Sequence, residues 1–150
     1  MNPLIMIPAR MAATRLPGKP LADIGGKPMI VRAWAQAAAS GLPVAVAAGD
    51  PEIVEAVDQA GGRAVLTDPA LPSGSDRIRA AVDAIDPEGD FDAVINVQGD
   101  MPFADPGFAL ACAELFLAQC AQLEERRGRP LVLGDILDVS KIEAGEFQLT

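Results

Sequence analysis

The chain has 150 residues, half of them apolar, with 12 basic against 21 acidic side chains and a formal charge of −9. That is enough apolar surface for one globular core and too much for a disordered chain, while no run approaches the ~20 apolar residues of a membrane-spanning helix. Histidine is absent, which excludes Ser-His triads, His–metal sites and a phospho-accepting His.

Short apolar runs alternate with amphipathic segments along the chain. Leu4–Ile7 reads as a buried strand ended by Pro8, and Pro28–Ala39 as a helix opened by proline and closed by Gly41. Val44–Ala48 is the second strand. Asp50 is expected to cap the next helix before Pro51, with Ile53, Val54 and Val57 on one face and Gly61–Gly62 as its stop. Arg63–Thr67 is the third strand, and Ser75 or Asp76 is expected to cap a helix reaching about Ile85. Ala93–Val97 is the fourth strand. Asp105–Pro106 starts a long helix through Leu123, and a further helical segment is expected over 131–143. This alternation predicts βαβ units, so an α/β fold with a mainly parallel sheet and helices on both faces. Ligands of such folds bind beyond the carboxyl ends of the strands.

Arg10, Arg15, Lys19, Lys27 and Arg32 face Asp23 alone in the first 32 residues, within a net acidic chain. The overall field disfavours nucleic acid, whereas a small anion in one pocket is compatible with it. Cys112 and Cys120 stand eight apart in an expected helix, too far along its axis for a disulfide between them. They read as reduced thiols of an intracellular protein. Leu4–Ile7 is too short for the apolar segment of a secretory signal, so a cytoplasmic location is expected.

Three loops carry candidate chemistry. Residues 8–20, after the first strand, combine three cations with small residues that let backbone amides approach a phosphate. The same loop reads equally as a solvated basic segment, and its spacing is neither that of a P-loop nor that of a GxGxxG turn. After the fourth strand come Gln98, Gly99 and Asp100. A carboxylate there suits Mg²⁺, which takes one or two carboxylates with phosphate oxygens and water. Asp100 as a simple turn residue is the alternative. The third loop, Pro72–Arg77, reads first of all as a helix cap.

Four stretches in this order, IPARMAATRLPGKPL (7–21), GGKPMI (25–30), PSGSDR (72–77) and VINVQGDMPF (94–103), resemble the 3-deoxy-manno-octulosonate cytidylyltransferases (CMP-Kdo synthetases). The resemblance covers residues 1 to about 117. It implies a Rossmann-like nucleotide-diphospho-sugar transferase fold. It also implies transfer of CMP from CTP to the sugar acid Kdo, giving CMP-Kdo and pyrophosphate for lipopolysaccharide biosynthesis. Carried over by motif, Arg10 and Lys19 would hold the triphosphate with Arg15 assisting. Ser73, Gly74, Ser75 and Arg77 would lie by the nucleotide. Gln98 would contact substrate and Asp100 would bind Mg²⁺. CTP and Kdo are the implied partners, with no nucleic acid or membrane, and with homodimerisation left open. Met101 stands where many relatives have Glu.

Members of that family are longer, and their second half supplies another metal-binding Asp, much of the sugar-acid pocket and the dimer contacts. The expected organisation is thus a nucleotide-binding part over 1–117 and an unrelated helical tail over 118–150, with the sheet incomplete on its C-terminal side and an apolar edge exposed. Residues 135–150 resemble the end of a dimerisation helix of sensor histidine kinases, without the phospho-accepting His. The alternative functional readings are a truncated or fused, non-catalytic remnant that retains nucleotide binding, and a helix-mediated dimerisation module.

Overall fold

The computed structural model describes residues 2–12, 17–91 and 93–103. It also describes Asp105, Gly107, Ala111, Glu114 and Ala118 singly, and the backbone of Leu137 and Asp138. The elements are β1 (Pro3–Ala9), α1 (Met29–Ala38), β2 (Val44–Ala48), α2 (Pro51–Gln59), β3 (Ala64–Leu66), α3 (Gly74–Ile85), β4 (Ala93–Asn96) and β5 (Leu137–Asp138), with a 3-10 turn at Lys19–Leu21. Every strand pairing is parallel, in the order β3-β2-β1-β4-β5.

Alternation along β1 divides the core in two. Ile5, Ile7 and Ala9 pack with Val46 and Ala48 of β2, with Ile30 and Val31 of α1, and with Ile53 and Val57 of α2. Leu4 and Met6 point to the opposite face, against Ala45 and Ala47 and the apolar stripe Ile78, Ala81 and Val82 of α3. Two helices therefore cover one face and one helix the other. This arrangement explains why β1, β2 and β4 read as continuous apolar runs rather than alternating ones. Successive right-handed crossovers carry the chain from β1 to β2 to β3 on one side of the sheet. The connection through α3 then returns it to the other side of β1, where β4 pairs. The strand order reverses between β1 and β4, and that reversal is where this class of sheet binds ligands.

The first strand is longer than expected because it runs through Pro8 to Ala9. Its register with β2 continues to Ala9↔Ala48, whereas its register with β4 stops at Met6↔Asn96. Met6 accepts from Val97 on the β4 side, and Ala9 accepts from Gly49 on the β2 side. Alternation therefore turns Pro8 toward β4, at the level where that pairing has ended. A missing N–H costs no ladder bond there, so proline is tolerated in a central strand. Beyond this level β4 has ended while β1 runs on to Ala9, and hollows open there.

The third helix corrects the expected cap. Ser73, not Ser75 or Asp76, is the N-cap, with extended backbone and its Oγ accepting from the Asp76 amide at 3.1 Å. Ser75 and Asp76 already lie in the first helical turn. The Ser73 hydroxyl in turn donates to the Asp76 carboxylate, a side-chain bond that holds the cap in place. The helix expected over 131–143 is likewise interrupted. Leu137–Asp138 is extended and pairs with β4 in the register Ile95↔Leu137 and Asn96↔Asp138. The unsatisfied backbone groups of an exposed strand edge favour such pairing over isolated helix, so the β4 edge expected to be bare carries a strand. Gly107, Ala111, Glu114 and Ala118 are helical, as expected after Asp105–Pro106. Cys112, Cys120 and most of the tail lie outside the described residues.

Ile7 is fully buried in the α1/α2 face of the core. Ile7→Ala is expected to cost about 2–5 kcal/mol through lost burial and a residual cavity. In urea unfolding this appears as a lower midpoint with an unchanged slope.

Candidate active site at the parting of β1 and β4

Two hollows of about 160 and 200 Å³ share a wall formed by Pro8, Ala9, Arg10 and Gln98. The first is completed by Leu71, Ser73, Gly74 and Arg77. The second is completed by Lys19, Pro20, Met29, Gly99 and Asp100. Both lie at the carboxyl ends of β1 and β4. All four candidate stretches thus contribute to the lining, although the third and fourth lie dozens of residues beyond the first two in the chain. Arg15 lies outside the described residues.

Each side chain is placed by its backbone. Arg10 follows the last residue of β1. Gly18 adopts φ 72, a left-handed turn open to glycine at little cost, and starts the 3-10 turn that presents Lys19. On the other wall, a Cβ at Gly99 would come within 3.3 Å of the Pro8 carbonyl and 3.2 Å of the Ile30 side chain. Glycine there lets the chain leaving β4 pass close against β1 and brings Gln98 and Asp100 to the rim. The Gln98 amide nitrogen donates to the side-chain oxygen of buried Asn96 at 3.3 Å.

The central contact is between Lys19 and Asp100. The Lys19 ammonium donates to Asp100 Oδ2 at 2.9 Å across 81 residues of sequence. Both side chains are substantially exposed, at 38% and 53%. An ion pair in such a setting contributes little to stability, so these groups are placed together without being locked together. No cluster of three acidic or thiol ligands occurs among the described residues. Asp100 therefore offers a single carboxylate, a donor set that fits Mg²⁺ only when phosphate oxygens and water complete the shell.

Arg77 behaves differently from the exposed cations. It is 2% exposed, and its guanidinium donates to Thr67 Oγ1 at 2.6 Å, to the Asp68 carbonyl at 3.1 Å and to the Pro69 carbonyl at 3.4 Å. Burial pushes its pKa below the ordinary arginine value and neighbouring Arg10 adds to this, while Asp50 and Asp68 oppose it. A Cβ at Gly49 would meet Arg77 Nη1 at 2.8 Å, so that glycine makes room for the guanidinium. Arg77 ties α3 to the loop after β3, whose Thr67 hydroxyl donates to the Ala48 carbonyl at the end of β2 at 2.8 Å, and forms part of the wall of the first hollow. Ser73 and Gly74 line that hollow as well. Ser75 stands one residue further on, in the first turn of α3, and is not among the lining residues.

Leu71, which also lines the first hollow, carries no charge or motif that would single it out in the sequence. Among the described residues, no helix is long and apolar enough to cross a membrane.

An open parallel sheet with cations after one strand and a carboxylate after its neighbour, facing each other at the strand-order reversal, is the arrangement of a nucleotide-binding α/β enzyme. Residues 4–126 match the family model described as cytidylyltransferase, and the chain belongs to that family. The match continues past residue 117. The 3-deoxy-manno-octulosonate cytidylyltransferase of Rhodospirillum rubrum is 58% identical over 118 residues, covering 78% of this chain and 47% of its own. The enzyme of the same name from Parvibaculum lavamentivorans is 51% identical over 142 residues, covering 88% and 55%. The chain thus spans about half the length of the curated relatives it matches. Among solved structures, a CMP:2-keto-3-deoxy-manno-octonic acid synthetase complexed with CTP superposes with a TM-score of 0.65 at 35% identity, over 84% of this chain and 48% of that one.

Arg77→Met should leave the Asp68 and Pro69 carbonyls without their buried donor and cost about 2–3 kcal/mol of stability. Arg77→Lys should recover only part of this, since an ammonium cannot reproduce the guanidinium fork. Urea unfolding of the two variants beside the wild type measures both effects.

Proposed function

We propose that these residues form the nucleotide-binding portion of a CMP-Kdo synthetase, which transfers CMP from CTP to Kdo and releases pyrophosphate. The observation that carries this reading is the meeting of Lys19 with Asp100 at 2.9 Å beside Arg10, in the hollow where β1 and β4 part. The superposition with a CTP-bound synthetase supports it.

On this reading Arg10 and Lys19, with Arg15 assisting, hold the triphosphate. A hydroxyl oxygen of the sugar acid attacks the α-phosphorus in line, and the bond to the pyrophosphate oxygen breaks. Such a transfer needs positioning and charge neutralisation rather than a protein nucleophile, so a chain without histidine is chemically adequate. Asp100 would hold Mg²⁺, which supplies further neutralisation of the departing pyrophosphate. Lys19 exchanges its carboxylate partner for phosphate oxygens, which releases Asp100 for the metal. Gln98, oriented by Asn96, offers its amide oxygen to substrate. Ser73 and Gly74 border the nucleoside end, and the buried Arg77 shapes that border. On this reading the reaction feeds lipopolysaccharide assembly and takes place in the cytoplasm.

A pyrophosphate-release assay with CTP, Mg²⁺ and Kdo tests the reading. Turnover is expected to fall by at least about 10²-fold in Asp100→Ala, the scale of losing one electrostatic stabiliser. CTP should also raise the thermal unfolding temperature, and Lys19→Ala should remove that protection. Protection by CTP without pyrophosphate release would confine these residues to nucleotide binding. Neither turnover nor protection would overturn the reading.

A further inference from the structure

The loop bearing the cations is held at its base by a group outside the lining of either hollow. The Met11 amide donates to Asp50 Oδ2 at 2.7 Å, a contact across 39 residues of sequence. The Met11 carbonyl accepts from the Gly18 amide at 3.0 Å. Met11 thus closes the loop into a ring, with Arg10 entering on one side and Lys19 leaving on the other. Asp50 ties that ring to the carboxyl end of β2, where Gly49 also donates to the Ala9 carbonyl at 2.8 Å.

Asp50 occupies the N-cap of α2 with extended backbone, yet its side chain makes no capping hydrogen bond. The carboxylate forgoes the stabilisation that a cap ordinarily supplies and engages Met11 instead. It is half-buried and close enough to Arg77 to oppose the effect of Arg10 on that guanidinium. A charge-assisted hydrogen bond from a backbone amide to a carboxylate is shorter and stronger than a neutral one, and this one is applied where the ring closes.

We propose that Asp50 is a positioning residue, whose carboxylate fixes the spacing of Arg10 and Lys19 by anchoring Met11. The proposal rests on the reading of those two cations as triphosphate ligands. Asp50→Ala removes the acceptor, whereas Asp50→Asn keeps an oxygen able to accept the Met11 N–H.

The test compares both variants with the wild type by amide hydrogen exchange, urea unfolding and affinity for inorganic triphosphate with Mg²⁺. In Asp50→Ala, exchange at Met11 and Gly18 should speed by roughly tenfold and triphosphate affinity should fall by roughly tenfold, the scale of one charge-assisted hydrogen bond. Core amides of Ile5–Ile7 and the urea midpoint should hold, and Asp50→Asn should restore most of both effects. Unchanged exchange at Met11 and Gly18 would overturn the proposal, as would unchanged triphosphate affinity over a loosened loop. A collapse of the urea midpoint in Asp50→Ala would also overturn it, since Asp50 would then be a residue of the fold. Failure of the wild type to bind triphosphate would instead count against the functional reading, while the exchange measurement still judges the anchor.

Discussion

A strand that stops short of its neighbour is the constraint on which the site depends. Pairing of β1 with β4 stops at Met6↔Asn96, while pairing of β1 with β2 runs on to Ala48. The unequal registers leave a gap on one side of Pro8, floored by the close passage of Gly99, and the two loops that enter it carry opposite charge. A positive loop or an acidic loop alone would be an ordinary surface feature. Lys19 and Asp100 at 2.9 Å make one site of them. Because both are exposed, the pair is held weakly and can be exchanged for ligands of complementary charge.

The cations of the site divide by solvation. Lys19 is exposed and opposes a single carboxylate, so its hydrogen-bonding capacity is available at small cost. Arg77 is buried against three oxygens of the loop after β3, and moving it would strand those acceptors. The two cations stand in equally suggestive motifs, GKP and SDR, yet burial gives them different physical tasks. The capping hydroxyl of Ser73 is similarly engaged with Asp76. The hollow walled by Ser73 and Arg77 is thus built mainly from groups held within the protein, and the one walled by Lys19 and Asp100 from an exposed, exchangeable pair.

Much of this is legible in the sequence, for identifiable reasons. Buried parallel strands are apolar throughout, so β1, β2 and β4 stand out, and the rule that ligands sit at strand ends points to Arg10, Lys19 and Asp100. The illegible parts are those set by tertiary contact. Pro8 inside β1 contradicts local propensity and is explained only by the early end of its pairing with β4. Asp50 before Pro51 looks like a helix cap, and nothing local reveals that its carboxylate reaches Met11. Ser73 is passed over for Ser75 and Asp76 as the expected cap because three neighbouring residues are chemically able to cap, and only backbone conformation chooses among them. The strand at Leu137–Asp138 reads as helix, since its apolar spacing fits a helix and the waiting edge of β4 is invisible in sequence.

The central claim is that Lys19 and Asp100 serve two parts of one ligand, a triphosphate and its divalent ion. The most direct measurement is calorimetric titration of CTP with and without Mg²⁺, into the wild type and into Asp100→Asn. Binding of metal and nucleotide is reciprocal through a shared site, so Mg²⁺ should raise CTP affinity by about tenfold or more in the wild type and by far less in Asp100→Asn. An equal gain from Mg²⁺ in both proteins would contradict the account.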